Sequence, residues 1–564
     1  MHWASLVLFR FLDARPQGCA LHHRIGRCAC LVLLLAFAPS SRLLAQGPPA
    51  PPPLSNMEDA RTLPAGTFRL RASTAWTRYD AFYGGRGDSV RTARPIGEAF
   101  SVKDLGARDM PLLARAEGAL RVLTGNANLA VNVGRLVATA DSRVYTTPIS
   151  LEYGLTGRLT VGAMVPVVQT HSTVFVELNP RALANNANVG PNPAQFSGNA
   201  SARATNLAVY NALNQASADL NNALRSCASN PTGPICSQQT EAIQARVASA
   251  AYAAAIKELY GIDANSGSPF VPTADLQSIV AQRLAQLDAT YQTLLGRSYL
   301  TTRPVGAVAV AALLQLEQVA TDPGGIAFDS LGSPDRIGIG DVEVSAAYRV
   351  LDTFGDSTTK GGFRLRAAAR GLVRLPTGRP SNLAVPFEIG TGTGQTSAEA
   401  AGIVDVRFRP RITATFAGQY TTYFGSAKVH RVPGSEFTLF PLDAPLPGRW
   451  HAGNAVQIEA TPRFLLTDFF SVNGQYTLRR QEGGSYRPAS VTTASVFAAS
   501  TEQRVGFGIG YSSLARYVRG KTNVPLEMFY SHLETFAARG GLTPKYTREQ
   551  LELRLYYRLR RGVR

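Results

Sequence analysis

Between Arg364 and Leu375 the chain alternates with a period of two. Arg364, Arg366, Arg370 and Arg374 occupy even positions, while Leu365, Ala367, Ala369, Gly371, Val373 and Leu375 fill the odd ones. Successive side chains of a strand point to opposite faces, so this stretch has one apolar and one strongly cationic face. A soluble sheet shows such a strand once. About a dozen of them behind a secretory leader describe a closed sheet with lipid outside and water inside.

The alternation recurs along the chain. Thr67 to Arg78 sets Phe68, Leu70, Ala72 and Trp76 against Arg69, Arg71, Ser73 and Thr77. Ala114 to Leu123 reads as a strand with Arg115, Glu117 and Arg121 on one face; Asn128 to Val137 is weaker. Ile149 to Tyr153 turns at Thr156-Gly157 into Leu159 to Val167. After an interruption come Asp341 to Val350, the arginine stretch, Ala398 to Arg409, Ile412 to Thr421, Val456 to Phe464 and Phe470 to Arg479. Two more runs lie near Arg504–Ser513 and Val524–Thr535, and the last is Leu551 to Arg560. The expected fold is an all-β transmembrane antiparallel barrel of about 14 strands, with 12 as the competing count, carrying an inserted α-helical subdomain. A secreted β-sandwich also alternates, but its strands average about 5–6 residues, whereas a tilted membrane strand needs about ten.

Only 17% of the 564 residues are charged, against about 25% in soluble proteins, while Gly (51), Phe (25) and Tyr (20) are plentiful. Residues 1–45 read as a signal peptide: Arg24 and Arg27 precede an apolar run from Cys28 to Phe37, and cleavage is expected after Ala45. Residues 46–65 then form a Pro-rich linker, expected to be extended and unpacked. Loss of the leader removes five Arg and one Asp, lowering the formal charge from +18 to about +14. No nucleic-acid motif accompanies this excess. The arginines instead suit a lumen lining and lipopolysaccharide phosphates at the rim.

The first barrel segment spans 66–178 and the second 337–564. The intervening 179–336 does not alternate. Leu207, Tyr210, Leu213, Ala216, Leu220 and Leu224 recur at helical spacing; so do Ile243 to Leu259 and Leu276 to Leu294, while Val305–Leu316 offers a fourth helix. Cys227 and Cys236 close a short loop, expected as a disulfide in an oxidising compartment. This insertion is expected as an external loop or a plug over the pore.

Several phrases then carry a family likeness: Leu151-Glu152-Tyr153-Gly154-Leu155-Thr156-Gly157-Arg158-Leu159-Thr160-Val161-Gly162, Gly338-Ile339-Gly340-Asp341-Val342-Glu343-Val344, Leu375-Pro376-Thr377-Gly378 and Gly390-Thr391-Gly392-Thr393-Gly394-Gln395. The chain here resembles outer-membrane barrels of the phenol-degradation meta-pathway type, loosely akin to long-chain fatty-acid channels. That resemblance covers 147–168 and 338–424. It implies location in the cell outer membrane, assembly by the barrel machinery, and passage of small hydrophobic or amphipathic compounds. The helical insertion and the terminal Arg560-Arg561-Gly562-Val563-Arg564 depart from the family pattern.

No enzyme, cofactor or metal site is expected. His430 and His451 fall near Ser435 and Asp443, but loop residues satisfying one another is the simpler account, and Arg86-Gly87-Asp88 is too short a motif to weigh. The inner-face charges are the stronger constellation. Arg364, Arg366, Arg370 and Arg374 are expected to line the lumen between Asp341 and Glu343 on one neighbouring strand and Glu399 and Asp405 on the other. Antiparallel pairing could set acid opposite base. Such a ladder is either structural or a transverse field that orients polar or anionic solutes. Two functions stay open: a passive channel, and a surface-exposed structural or binding barrel whose insertion recognises a partner.

Overall fold

The computed structural model describes residues 59–83, 93–196, 198–233, 235–320, 332–354, 363–382, 385, 387–430, 433–435, 438–441, 446–489, 495–496, 498–541 and 543–558. The leader with Cys19, Cys28 and Cys30, the tripeptide at 86–88, Asp443 and the terminal residues 559–564 lie outside them.

Twelve strands close a ring in chain order. They are β1 (Thr67–Tyr83), β2 (Leu136–Gly154), β3 (Leu159–Leu178), β4 (Glu343–Asp352), β5 (Arg364–Arg374), β6 (Ser397–Arg409), β7 (Ile412–Tyr423), β8 (Ala455–Leu465), β9 (Phe470–Gln481), β10 (Ser500–Ser512), β11 (Leu526–Gly540) and β12 (Thr543–Arg558). Each is antiparallel to its neighbours. β12 returns to β1, with Thr67 opposite Arg558 and Tyr83 opposite Thr543. Two short additions, Arg94–Pro95 on β1 and Asp335–Ile339 on β3, extend the wall. Twelve is the lower of the two expected counts.

The difference has a physical cause. Ala114 to Leu123, expected as a strand, lies in helix α1 (Leu113–Thr124). Leu113, Ala116, Leu120 and Leu123 are buried on one side and Val122 is exposed. Spacings of three and four fit a period of 3.6 better than a period of two. Asn128 to Val137 is irregular until β2 begins at Leu136.

The strands are inverted relative to a soluble protein. On β8, Val456 and Ile458 are 47% and 54% exposed, while Gln457, Glu459 and Thr461 are buried. Apolar outside and polar inside is the pattern of a lipid-bathed barrel. Phe68, Tyr153, Tyr348, Phe408, Phe464, Phe470 and Tyr557 stand at one end of the wall, the level of an aromatic girdle. That end carries the start of β1, the end of β12 and the tight turns 155–158, 410–411 and 466–469. Short turns mark the periplasmic rim and long loops the exterior.

The external loops build a helical domain from α1, α2 (Ala200–Ser226), α3 (Gln239–Tyr260), α4 (Ala274–Leu295) and α5 (Leu313–Ala320). Its fourth long helix lies in the β1–β2 loop, not in 179–336, and α5 starts later than the run Val305–Leu316 suggested. Asn199 caps α2, its Oδ1 accepting from the N–H groups of Ser201 and Ala202 at 3.0 and 3.4 Å. α4 stops at Gly296, which takes the left-handed backbone (φ +70°) that glycine tolerates. One core joins Leu120, Leu213, Leu220, Ile256, Leu284 and Tyr291. Cys227 and Cys236 are bonded at the bend between α2 and α3. Ser426–His430, Leu446–His451, Ser485–Pro488 and Ser495–Val496 make a small separate sheet beyond the rim.

Two outcomes check this architecture. Phe416, midway along the outward face of β7 and 47% exposed, meets hydrocarbon; Phe416→Arg should destabilise the barrel by about 2–4 kcal/mol in lipid vesicles, read by urea titration of the folded gel band. Replacing Cys227 and Cys236 with serine should cost the helical domain about 2–3 kcal/mol, as expected for so short a loop, while the barrel's heat-modifiable gel shift persists.

Candidate functional site

The lumen is crossed by a segment that sequence reasoning placed outside any packed structure. Residues 59–65, read as unpacked linker, turn into the barrel at its periplasmic end. Ala60 is 1% exposed and packs on Ala368 and Ile403. Its N–H donates to Asp405 Oδ2 at 3.1 Å, and the Leu63 N–H donates to Thr160 Oγ1 at 2.8 Å. The strap then meets β2, with the Gly66 N–H bonded to the Gly154 carbonyl at 2.9 Å.

Arg61 ties this strap to a chain of alternating charges across β1, β2, β11 and β12. Arg61 Nε donates to Asp59 Oδ2 at 2.6 Å, and its Nη1 lies 3.3 Å from Glu527 Oε1. Glu527 stands 4.0 Å from Arg554, and Arg554 Nε donates to Glu552 Oε1 at 2.7 Å. The same Glu552 oxygen accepts from Arg71 Nε at 2.8 Å; Arg71 Nη1 reaches Glu152 at 3.1 Å, and Arg69 Nε reaches it at 2.5 Å. Alternation is obligatory here. An unpaired ion held away from water costs several kcal/mol, and each guanidinium of this chain is set against a carboxylate.

The expected ladder on β4–β6 is present in part. Arg374 pairs with Glu343 at 2.5 Å and Arg370 with Glu399 at 2.7 Å. Arg366 lies 3.1 Å from Asp352 and 3.8 Å from Asp405, which also accepts from Thr415 Oγ1. Arg364 turns to the periplasmic rim, its Nη1 donating to the Phe354 carbonyl at 3.0 Å. Asp341 is not in the ladder. It sits where the wall breaks between Ile339 and Glu343, accepting from the N–H groups of Gly378 and Thr393 and from Thr393 Oγ1. Gly392 permits this: a Cβ there would stand 2.3 Å from Asp341 Oδ1.

That anchor turns the β5–β6 loop back into the bore. Ser172 and Thr170, inward-facing on β3, donate to the carbonyls of Phe387 and Ile389 at 2.8 and 2.9 Å. Ile389 packs with Tyr79, Val144, Val168 and Tyr546. Phe387 holds φ +63°, rare for a bulky residue, and its ring lies 4.1 Å from Phe100 in the helical core. Below this loop Arg504 and Arg548 are nearly wholly buried, Arg504 bonding Gln457 and Arg548 bonding Gln550.

A small cavity of about 50 Å³ remains beside the strap. Arg61, Arg69, Arg71, Arg370 and Arg554 line it with Asp59 and Glu152; Ser345, Ala347, Ala368 and Ile403 make its other wall. The strap residues and the β12 charges escaped the sequence reading of the site. The inward series Glu552, Arg554 was the available signal, whereas nothing in Asp59–Leu63 marks a buried strap.

Among the described residues no group of three or more His, Cys, Asp or Glu could hold a metal. His451 lies exposed on the external sheet; the side chains of His430 and Ser435 fall outside what is described. His532 pairs with Glu549 at 2.6 Å on the outer wall, away from the bore.

No protein-family model and no curated protein matches the chain. Solved structures do. An outer membrane channel from Pseudomonas putida F1 aligns over 89% of this chain and 99% of its own, at 9% identity and a TM-score of 0.37. The toluene transporter TodX of P. putida aligns over 89% and 92%, at 9% identity and 0.23. The β domain of the Bordetella autotransporter Brka aligns over 87% and 100%, at 9% identity and 0.25. Likeness at this level bears on neither solute nor mechanism.

Opposed charges in the bore predict strong coupling. Glu552→Ala, which strips Arg71 and Arg554 of a shared carboxylate, should lower stability by about 3–5 kcal/mol. Glu552→Ala with Arg71→Met should cost less than the sum of the single changes, measured as a double-mutant cycle in urea titrations.

Proposed function

We propose that the chain is a passive outer-membrane channel for small solutes, held closed by its own chain at both ends of the bore. One observation carries this reading: two backbone segments, the strap and the β5–β6 loop, enter a lumen lined by polar and charged side chains and obstruct it. The Asp59–Leu63 strap is attached to the wall by few groups, chiefly through Asp405, Thr160 and Glu527. The turn carrying Phe387 and Ile389 obstructs the outer half.

The helical domain takes part through Phe387. Its ring occupies the domain's core, so movement of the helices would draw on the turn that enters the bore. The resemblance of the sequence phrases supplies the solute class, small hydrophobic or amphipathic compounds.

In planar bilayers the chain should show low, intermittent conductance. Removal of residues 46–63 should raise mean current several-fold, and removal of residues 185–330 should lengthen open times by releasing Phe387. A strapless barrel that folds, shows its gel shift and passes no current would overturn the channel reading.

A further inference from the structure

We propose that the outer wall of the barrel carries a seat for a phosphate group of outer-leaflet lipopolysaccharide, formed by Arg480, Thr501 and Arg539. The inference concerns the lipid-facing surface and is independent of passage through the bore.

The three residues form one row across three strands. On β9 the even positions face outward: Phe470, Val472 and Tyr476 are exposed, while Ser471, Asn473, Gln475 and Thr477 are buried. Arg480 continues the outward series and lies opposite Thr501 of β10, which in turn lies opposite Arg539 of β11. Neighbouring strands stand about 4.8 Å apart, so two guanidinium groups flank one hydroxyl on the same face. Both arginines are exposed, and among the described residues neither makes a hydrogen bond or an ion pair.

Height in the wall sets what this row meets. Phe470 belongs to the periplasmic girdle, and Arg480 follows ten residues later on the same face. Ten residues of strand run about 33 Å, which a tilt of about 40° reduces to about 25 Å of height, the extent of the apolar band. Arg480 therefore stands where hydrocarbon ends. Below it the wall is apolar. The rings of Tyr476 and Phe536 lie 6.5 Å apart, and Val505 and Phe507 are half-exposed. Tyr476 Oη donates to Gln503 Oε1 at 3.2 Å, which satisfies both polar groups at the edge of the lipid. An amphiphile with acyl chains on this surface brings its phosphate to the row.

The missing carboxylate distinguishes this row from the rest of the wall. Arg78 and Arg143 stand at the same height, ten residues from Phe68 and Tyr153. They face each other across β1 and β2 and share Asp141, at 2.7 and 3.1 Å. Beside Thr501, by contrast, Glu502 turns inward to Thr535 and Arg504. Glu482 beyond the end of β9 and Glu534 on β11 pair with neither Arg480 nor Arg539. The anion that completes the row comes from the lipid. Guanidinium groups hold phosphate oxygens by paired N–H donors, in charge-assisted bonds about twice as strong as neutral ones. In an outer membrane the leaflet at this height is lipopolysaccharide, whose phosphates sit directly above its acyl chains.

The test titrates lipopolysaccharide, the same material stripped of its phosphates, and phosphatidylglycerol into the purified full chain in detergent, with bound lipid counted by native mass spectrometry. Arg480→Gln with Arg539→Gln should weaken binding of intact lipopolysaccharide at least about tenfold, the loss of one or two charge-assisted hydrogen bonds. The phosphate-free material should bind parent and variant alike. Arg78→Gln, at the same height in a paired arginine, should change affinity less than about threefold. Should the glutamine variant lose its heat-modifiable gel shift, Arg480→Lys with Arg539→Lys keeps the charge, gives up the planar fork and should weaken binding about threefold. Unchanged affinity in the glutamine variant, or in the lysine variant where the first does not fold, overturns the seat. So does an equal loss for the phosphate-free material, an equal loss in Arg78→Gln, or equal affinity for phosphatidylglycerol.

Discussion

Closure of the ring is the constraint from which the rest follows. A strand in hydrocarbon has no water to satisfy its N–H and C=O groups, so every edge must be paired. β12 meets β1 along sixteen residue pairs, with one bulge at Tyr79/Ala81. With the edges abolished, the alternation along each strand acquires a fixed meaning. From Arg69 to Tyr79 the odd positions of β1 face the bore and the even ones face lipid, and each of the other strands alternates likewise in its own phase. A slip of one residue in any pair would put arginines into hydrocarbon.

The polar bore created in this way is narrow, and charges inside it must be paired. This explains the continuous alternation from Arg69 through Glu152, Arg71, Glu552, Arg554, Glu527 and Arg61 to Asp59. It also explains how the strap is held. A carboxylate and a guanidinium on an otherwise unremarkable segment complete a wall network that would end on Glu527 without them.

At the outer end the logic is one of packing. The helical domain has its own core, drawn from two loops that are separated by β2 and β3 in sequence. It reaches the bore through a single aromatic residue of a third loop. Phe387 keeps a left-handed backbone that its side chain disfavours. It is held there by Phe100 on one side and by the hydroxyls of Ser172 and Thr170 on the carbonyls that follow.

Alternation determined the barrel, the lipid-facing and bore-facing sets, and the presence of acids on both strands beside the arginines, since period two is local and antiparallel neighbours in a meander are adjacent in sequence; only the register decided the pairs Arg370–Glu399 and Arg374–Glu343. Helical spacing likewise revealed α2, α3 and α4 and the cysteine clip between the first two. Period two misled at Ala114–Leu123, where Leu113, Ala116, Leu120 and Leu123 recur at spacings of three and four and are buried along one side of a helix. Asp341 shows the same limit: its carboxylate fits the inward series of its strand, yet Gly378, Gly392 and Thr393 fold over it and claim it. The strap, the inward loop and the cavity were decided only in three dimensions. They depend on segments with no period at all, and their places follow from which charges and hydroxyls the closed wall left facing inward.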